Sequence, residues 1–173
     1  HLAVWKGFNP IVSELLAARF NVNAEDERSW TALFFAVAAG HGHAHASMAN
    51  ASMARLLIDN GADVNKQNSD LKTPLHITAN KGHIEVVRVL LNSGAGVNIM
   101  GEDHTTPLYL AALSGHPEVV RMLIDSGANV NIKDQDGWTP LHVATSYFHL
   151  AVVRIILNSG ADVNIIDHKD HNT

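Results

Sequence analysis

Short segments with a helical spacing of apolar residues alternate along this chain with polar turns. In the clearest of them, residues 84–92, one face of the predicted helix is apolar and carries Val86, Val87, Leu90 and Leu91. Gly94 follows this segment and fits the left-handed position that commonly ends a helix. The pattern predicts an amphipathic helix that packs on its neighbours through one face.

A second helix is predicted just before this one. Thr73 is a good N-cap, and Pro74 then takes the first helical position, where its missing N–H costs no hydrogen bond. Gly82 is expected to end this helix, and residues 95–105 to form an extended finger that leads to the next pair of helices. Because one such pair cannot bury both of its faces alone, we expect stability to come from stacking.

The same pattern recurs at a fixed interval. Thr-Pro-Leu begins at Thr73, Thr106 and Thr139, which are 33 residues apart. Each opening is followed by Gly-His or its equivalent, and then by Val-Val-Arg. Each unit closes with Gly-Ala-x-Val-Asn, at residues 94–98, 127–131 and 160–164.

These four motifs in fixed order resemble the ankyrin repeat, whose signature is Thr-Pro-Leu-His, Gly-His, a Leu-rich helix and Gly-Ala-Asp-Val-Asn. The resemblance covers essentially the whole chain. It implies an all-α solenoid of stacked helix-turn-helix units with extended β-turn fingers. It also implies an intracellular, cytoplasmic location and a role in binding another protein rather than in catalysis.

On this basis we interpret residues 1–173 as a single ankyrin-repeat domain. The chain starts inside an opening motif, so we expect it to be an excerpt of a longer array. The second unit carries nine extra residues, because Thr31 and Thr73 are 42 rather than 33 residues apart. The units are a partial 1–27, then 28–69 with an insertion within 41–50, 70–102, 103–135, 136–168, and the start of a further unit at 169–173.

Five residues depart from the repeat at its turns. Arg19 and Phe20 replace the closing Gly-Ala of the first unit, and we expect that loop to be remodelled, because a left-handed turn disfavours residues with a side chain. Phe148 replaces the glycine of Gly-His and should alter the link between the two helices of its unit. Phe34 and Tyr109 replace the motif histidine, so its usual turn hydrogen bonds should be absent there.

Composition and charge argue against several classes of function. The net charge is −5 and the pI about 6.2, which argues against a nucleic-acid surface, since that needs an excess of Lys and Arg. There is no cysteine, so neither disulfides nor a thiolate zinc site stabilise the fold. The longest apolar run, residues 32–39, is too short to cross a membrane. We expect no cofactor, no membrane insertion and a monomeric chain.

The resemblance implies that a partner protein binds on the concave face that the fingers and first helices form. In ankyrin-like units the variable outward positions flank the fixed Thr-Pro and follow the paired small residues. The finger segments 24–30, 66–72, 99–105, 132–138 and 165–171 together hold ten Asp or Glu against five Lys or Arg, which favours a basic or mixed-charge partner. The residues that we assign to partner binding are Glu27, Arg28, Trp30, Asp70, Lys72, Lys81, Glu102, Asp103, Leu113, Asp136, Trp138 and Tyr147.

Three alternatives stay open. Trp30 and Trp138 are expected to contact a partner or, alternatively, to pack on the neighbouring finger and stiffen the stack. The chain could be a structural spacer in a longer array, or the recognition arm of a larger enzyme, channel or toxin. His41, His43 and His45 in the insertion could make it a metal-responsive module, although no Cys, Asp or Glu nearby completes a tetrahedral site.

Overall fold

The computed structural model describes residues 2–5, 9–39 and 44–166, with the side chains of 5, 9, 10 and 44–49 left aside. In this part of the chain all regular structure is helical. A short 3₁₀ turn lies at Glu102–His104. The α-helices are α1 (Leu2–Trp5), α2 (Asn9–Ala17), α3 (Ala32–Ala38), α4 (Ala44–Asp59), α5 (Pro74–Lys81), α6 (Ile84–Asn92), α7 (Pro107–Leu113), α8 (Pro117–Asp125), α9 (Pro140–Ser146) and α10 (Leu150–Asn158).

The helices form five antiparallel pairs, α1 with α2 through α9 with α10, which we number 1 to 5. First helices pack side by side from α1 through α3, α5 and α7 to α9. Second helices do the same from α4 through α6 and α8 to α10. Each internal pair therefore buries its faces against the pairs before and after it, and the predicted all-α solenoid is confirmed.

The core runs continuously through the stack. Leu75 and Leu108 of the first helices and Leu90 and Leu123 of the second helices are fully buried. Burying each such side chain contributes about 2 kcal/mol of transfer free energy. Small side chains lie where first helices touch, and this lets the helix axes approach closely; they are Ala36, Ala79, Ala111, Ala112 and Ala144.

His76 caps its own helix and also reaches the next pair. The Thr73 amide donates to His76 Nδ1 at 3.0 Å, and Thr73 Oγ1 lies 2.8 Å from the same nitrogen. Since Nδ1 accepts an N–H, Nε2 carries the proton and donates to the Thr105 carbonyl at 3.2 Å. The imidazole is fully buried, and this burial lowers the pKa of His76 to about 4. His76 is therefore neutral at physiological pH.

The insertion extends the second helix of pair 2. α4 begins at Ala44 and has 16 residues, whereas α6, α8 and α10 have nine each. Helix formers such as alanine and methionine dominate its first half, which explains why the extra residues continue the helix. Residues 40–43, at the start of the insertion, lie outside the described residues.

The expectation that Arg19 remodels its loop is wrong. Arg19 adopts the left-handed conformation itself, with a φ of 59°, and its amide donates to the Leu16 carbonyl at 2.9 Å. Gly61, at the same place in the next unit, has a φ of 89° and makes the equivalent bond to Ile58 at 2.9 Å. The stack holds the turn in place although arginine is strained there, at a cost of about 1 kcal/mol.

The expectation for Phe148 is wrong for the same reason. Phe148 has a φ of 58°, and the following amide of His149 donates to the Ala144 carbonyl at 2.9 Å. The corresponding bond in pair 4, from His116 to Ala111, is 3.0 Å long. The link between the two helices is thus unchanged, and the difference from glycine lies in where the phenyl ring goes.

The two replaced motif histidines behave differently from each other. At Phe34 the prediction is confirmed: Thr31 makes no side-chain cap hydrogen bond, and its buried hydroxyl finds no partner among the described residues. At Tyr109 a backbone group keeps part of the cap, which the prediction about the histidine ring did not concern. The Tyr109 amide donates to Thr106 Oγ1 at 3.2 Å, so half of the cap remains.

Candidate interaction surface

The structure describes four fingers, residues 26–30, 68–72, 101–105 and 134–138, which we number 1 to 4. In fingers 1, 2 and 4 one side chain at the first position sets the geometry of a tight hairpin. In finger 2 the Asn68 amide donates to the Lys72 carbonyl at 3.0 Å, and Asn68 Oδ1 accepts from the amides of Asp70 and Lys72. Leu71 takes the left-handed conformation that closes this turn. Asp26 and Asp134 make the same bonds in fingers 1 and 4.

Finger 3 reaches the same shape with different chemistry. Gly101 has no side chain to accept turn amides, and residues 102–104 instead form the 3₁₀ turn. The Gly101 amide still donates to the Thr105 carbonyl, at 2.8 Å. Asp103 and His104 both have positive φ values, of 58° and 60°. The hairpin is therefore kept while its tip carries two carboxylates, Glu102 and Asp103.

The tips of the four fingers are joined by backbone hydrogen bonds. The Ser69 amide donates to the Arg28 carbonyl at 3.1 Å, and the Glu102 amide to the Asp70 carbonyl at 3.0 Å. The Gln135 amide completes the row by donating to the Asp103 carbonyl at 3.0 Å. The Asp103 carboxylate also accepts from Gln135 Nε2, and the side chains of Glu27, Asp70, Glu102 and Asp136 are exposed.

Asparagine side chains hold the other end of each finger to the next pair. Asn98 Nδ2 donates to the Gly127 carbonyl at 3.1 Å, and Asn98 Oδ1 accepts the Asn129 amide at 2.8 Å. Asn65 makes the same two bonds one pair earlier, and Asn23 makes them two pairs earlier. These bonds join the closing loops of consecutive pairs.

The predicted binding residues separate into two groups. The larger group lies on the fingers and comprises Glu27, Arg28, Trp30, Asp70, Lys72, Glu102, Asp103, Asp136 and Trp138. The smaller group, Lys81, Leu113 and Tyr147, lies at the C-terminal ends of α5, α7 and just after α9. A seven- or eight-residue helix, about 11 Å long, separates the two groups.

Their exposure also differs. Most of the charged tip residues and Tyr147 are exposed, whereas Trp30, Lys72, Leu113 and Trp138 are half-buried. Leu113 packs against the hydrophobic core. Lys81 is exposed, but its ammonium donates to the Ala38 carbonyl of the preceding pair at 2.7 Å. Lys81 thus has a structural contact in addition to its predicted role.

The two tryptophans contact their own units. The Trp30 ring lies 5.5 Å from the Phe34 ring and 5.3 Å from the Phe35 ring, both on α3. The Trp138 ring lies 6.4 Å from the His142 ring on α9. Each ring therefore rests on the first turn of its own first helix and keeps a part of its surface in solvent.

Sequence reasoning missed a contact between fingers 3 and 4 and the helices beside them. The Tyr109 hydroxyl hydrogen-bonds the Asp134 carboxylate, and burial together with this carboxylate raises the pKa of Tyr109. Tyr109 thereby joins α7 to the following finger, as His76 joins α5 to the finger after it. The signal was present, because Asp134 occupies the same first position as Asp26 and Asn68 in their fingers.

The described residues offer little for chemistry. They contain no cluster of three or more His, Cys, Asp or Glu that could hold a metal ion. His41 and His43 lie outside the described residues and the His45 side chain is not described, so the metal prediction stays a prediction. An apolar cavity of about 230 Å³ beside α1 and α2 has Asn21 as its one polar lining residue. None of the helices described is both long and apolar enough to span a bilayer.

The stacked helix pairs with their fingers are matched by one known family. The family described as ankyrin repeats matches three times, over residues 1–100, 43–134 and 97–167. The chain belongs to the ankyrin-repeat family. Ankyrin repeats are generally protein–protein interaction modules and typically carry no enzymatic activity. No curated protein matches the chain significantly.

Proposed function

We propose that this ankyrin-repeat chain binds a partner protein on its concave face, through the finger tips and the exposed ends of the first helices, and catalyses no reaction. The observation that carries the proposal is the row of finger tips. Backbone bonds fix the spacing of the tips, so the main chain that carries these side chains is preorganised, and little backbone conformational entropy is lost when a partner binds.

The charge of this row supports a basic or mixed-charge partner. Glu27, Asp70, Glu102, Asp103 and Asp136 are exposed at the tips. Within the four described fingers, Arg28 is the one exposed Lys or Arg that opposes them. Neighbouring carboxylates of one sign attract a basic surface over the Debye length of about 8 Å at physiological ionic strength. We therefore expect association to slow as salt is raised.

Aromatic side chains at the two edges of the face would supply contact energy. Tyr147 is 58% exposed and its ring is stacked on that of His149 at 6.2 Å. Trp30 and Trp138 each have one side packed on their own helix and another side open. Tyrosine and tryptophan are enriched among residues that dominate binding energy, because they bury a large area with few rotatable bonds.

The test is affinity capture from cell lysate with three variants beside the parent chain. The first replaces the aromatic anchors by Trp30→Ala, Trp138→Ala and Tyr147→Ala. The second removes tip charge by Asp70→Asn, Glu102→Gln and Asp136→Asn. The third is the matched control on the second helices, namely Arg88→Ala, Arg121→Ala and Arg154→Ala, all of which are exposed.

We expect the first two variants to lose the same partner and the control to keep it, after urea denaturation has shown that all four chains fold. A partner lost only by the control would move the binding surface to the second helices. Capture of no protein by the parent chain would favour the structural-spacer function instead.

A further inference from the structure

Among the described residues, the Gly-His glycines Gly82 and Gly115 are each covered by the histidine of the next pair. A Cβ placed on Gly82 would lie 2.6 Å from His116 Nδ1, and His116 Nε2 lies 3.1 Å from the Asn80 carbonyl. A Cβ on Gly115 would lie 2.5 Å from His149 Cε1 in the same way. Real Cβ atoms do not approach this closely, so a side chain at either glycine would force the histidine ring away from the carbonyl that it contacts.

Pair 5 has a phenylalanine at this position. Phe148 lies 33 residues after Gly115 and has a φ of 58°, close to the 71° of Gly115. Its Cβ therefore starts in the direction that a following histidine would occupy. The side chain is 83% exposed, and Leu150 beside it is 76% exposed.

The rest of this outer face keeps the features by which internal pairs are covered. Val163 is 66% exposed, whereas its counterpart Val130 is 7% exposed beneath the next pair. Asn164 follows Asn98 and Asn131 in the asparagine series, and Asn131 Oδ1 accepts an amide of the pair after it at 2.9 Å. The face thus retains both an apolar surface and the hydrogen-bonding residue used for stacking.

We propose that the outer face of α9 and α10 accepts a further ankyrin-type helix pair only when that pair carries a small residue where the internal pairs carry the Gly-His histidine. Phe148 is the residue that sets this selectivity. The apolar surface and Asn164 favour a stacked repeat as the occupant, and the phenyl ring excludes one with an imidazole at the contact. A small residue in place of that histidine leaves room for the Phe148 ring, which is then buried at the new interface.

The steric rule can be tested inside the present chain by a double-mutant cycle between Gly115→Phe and His149→Ala. We expect Gly115→Phe to lower hydrogen-exchange protection of α9 and α10 at least tenfold, and His149→Ala to recover most of this loss in the double variant. Gly127→Phe is the matched control, because Gly127 has a φ of 90° but nothing within 4 Å of its Cβ position. It introduces backbone strain without the clash.

If Gly115→Phe is no worse than Gly127→Phe, or if His149→Ala recovers nothing, the proposed contact rule is overturned. This double-mutant cycle does not depend on any partner of the concave face. Its outcome is therefore independent of the function proposed above.

The selectivity of pair 5 is tested by extending the chain after residue 168 with a second copy of residues 103–135, which keeps the 33-residue register. Four extended chains are compared, with Phe148 or Phe148→Gly, and with the copied His116 kept or replaced by alanine. With Phe148, we expect helices of the alanine copy to exchange at least tenfold more slowly than those of the histidine copy. With Phe148→Gly, the order should reverse.

The same order in both backgrounds would overturn the proposal, because Phe148 would then have no role in selection. Lack of protection in every copy would also overturn it, because the face would not accept a repeat at all. Circular dichroism of the parent chain and of Phe148→Gly without extension shows whether the substitution itself disturbs pair 5.

Discussion

His76 should make the stack sensitive to mild acid. Its imidazole is fully buried and holds Thr73 on one side and the Thr105 carbonyl of the next finger on the other. Burial lowers its pKa from 6.5 to about 4, so the unfolded chain binds a proton at this residue more readily than the folded chain does. The stability that neutral His76 provides is therefore fully present above pH 6.5, and it is lost as the pH falls from 6.5 towards 4.

The size of this effect follows from the difference between the two pKa values. The fall of the His76 pKa from 6.5 to about 4 corresponds to a loss of about 3 kcal/mol of unfolding free energy below pH 4. Most of this loss has already occurred at pH 4.5. A stack of this length has on the order of 10 kcal/mol in total. One histidine would thus account for a substantial part of its acid sensitivity.

The assay is urea denaturation of the parent chain and of His76→Gln between pH 8 and pH 4.5. Glutamine can still accept the Thr73 amide as in a capping box but does not titrate. We expect the parent to lose about 2 to 3 kcal/mol more than the variant over this range. His142→Gln makes the same exchange in the equivalent cap of pair 5 and measures what glutamine does to the cap at neutral pH. Parallel pH profiles for the parent and His76→Gln would refute the reasoning.

Three further predictions concern single contacts, each measured by urea denaturation at pH 7.5. Tyr109→Phe removes the hydrogen bond to the Asp134 carboxylate and should cost about 1 to 2 kcal/mol, whereas no change would mean that the bond is not formed in solution. Asn98→Ala removes both bonds to the next pair and should cost about 1 to 2 kcal/mol, and Asn98→Asp, which keeps the acceptor, should cost less. Arg19→Gly relieves a left-handed arginine and should stabilise the chain by about 1 kcal/mol, and a loss of stability would show that the arginine side chain has a compensating contact.

The fold could be predicted from the sequence because its determinants are local and repeated. Thr73 with Pro74 fixes a helix start, and Gly94 fixes a helix end, wherever these residues recur. The errors arose where a turn was judged by one residue alone. Arg19 and Phe148 keep the left-handed turn because packing of the pair outweighs a local strain of about 1 kcal/mol.

The contacts across the candidate surface could be predicted less well. Tyr109 and Asp134 belong to different units, and so do Lys81 and the Ala38 carbonyl. Whether these residues contact each other depends on the distance between successive helix pairs, and the periodicity of the sequence does not predict that distance. The positions of the finger tips were predicted, whereas the backbone bonds that join them became visible only in the structure.

The central claim is that a partner protein lies along the finger tips, and site-specific photo-crosslinking in cells tests it most directly. A photoreactive amino acid is placed singly at Asp70, Asp103 or Asp136 on the tips, and at Arg88, Arg121 or Arg154 on the second helices, all of which are exposed. We predict one common adduct from the three tip positions and none of that mass from the three helix positions. The same adduct from the helix positions, with none from the tips, would contradict the claim.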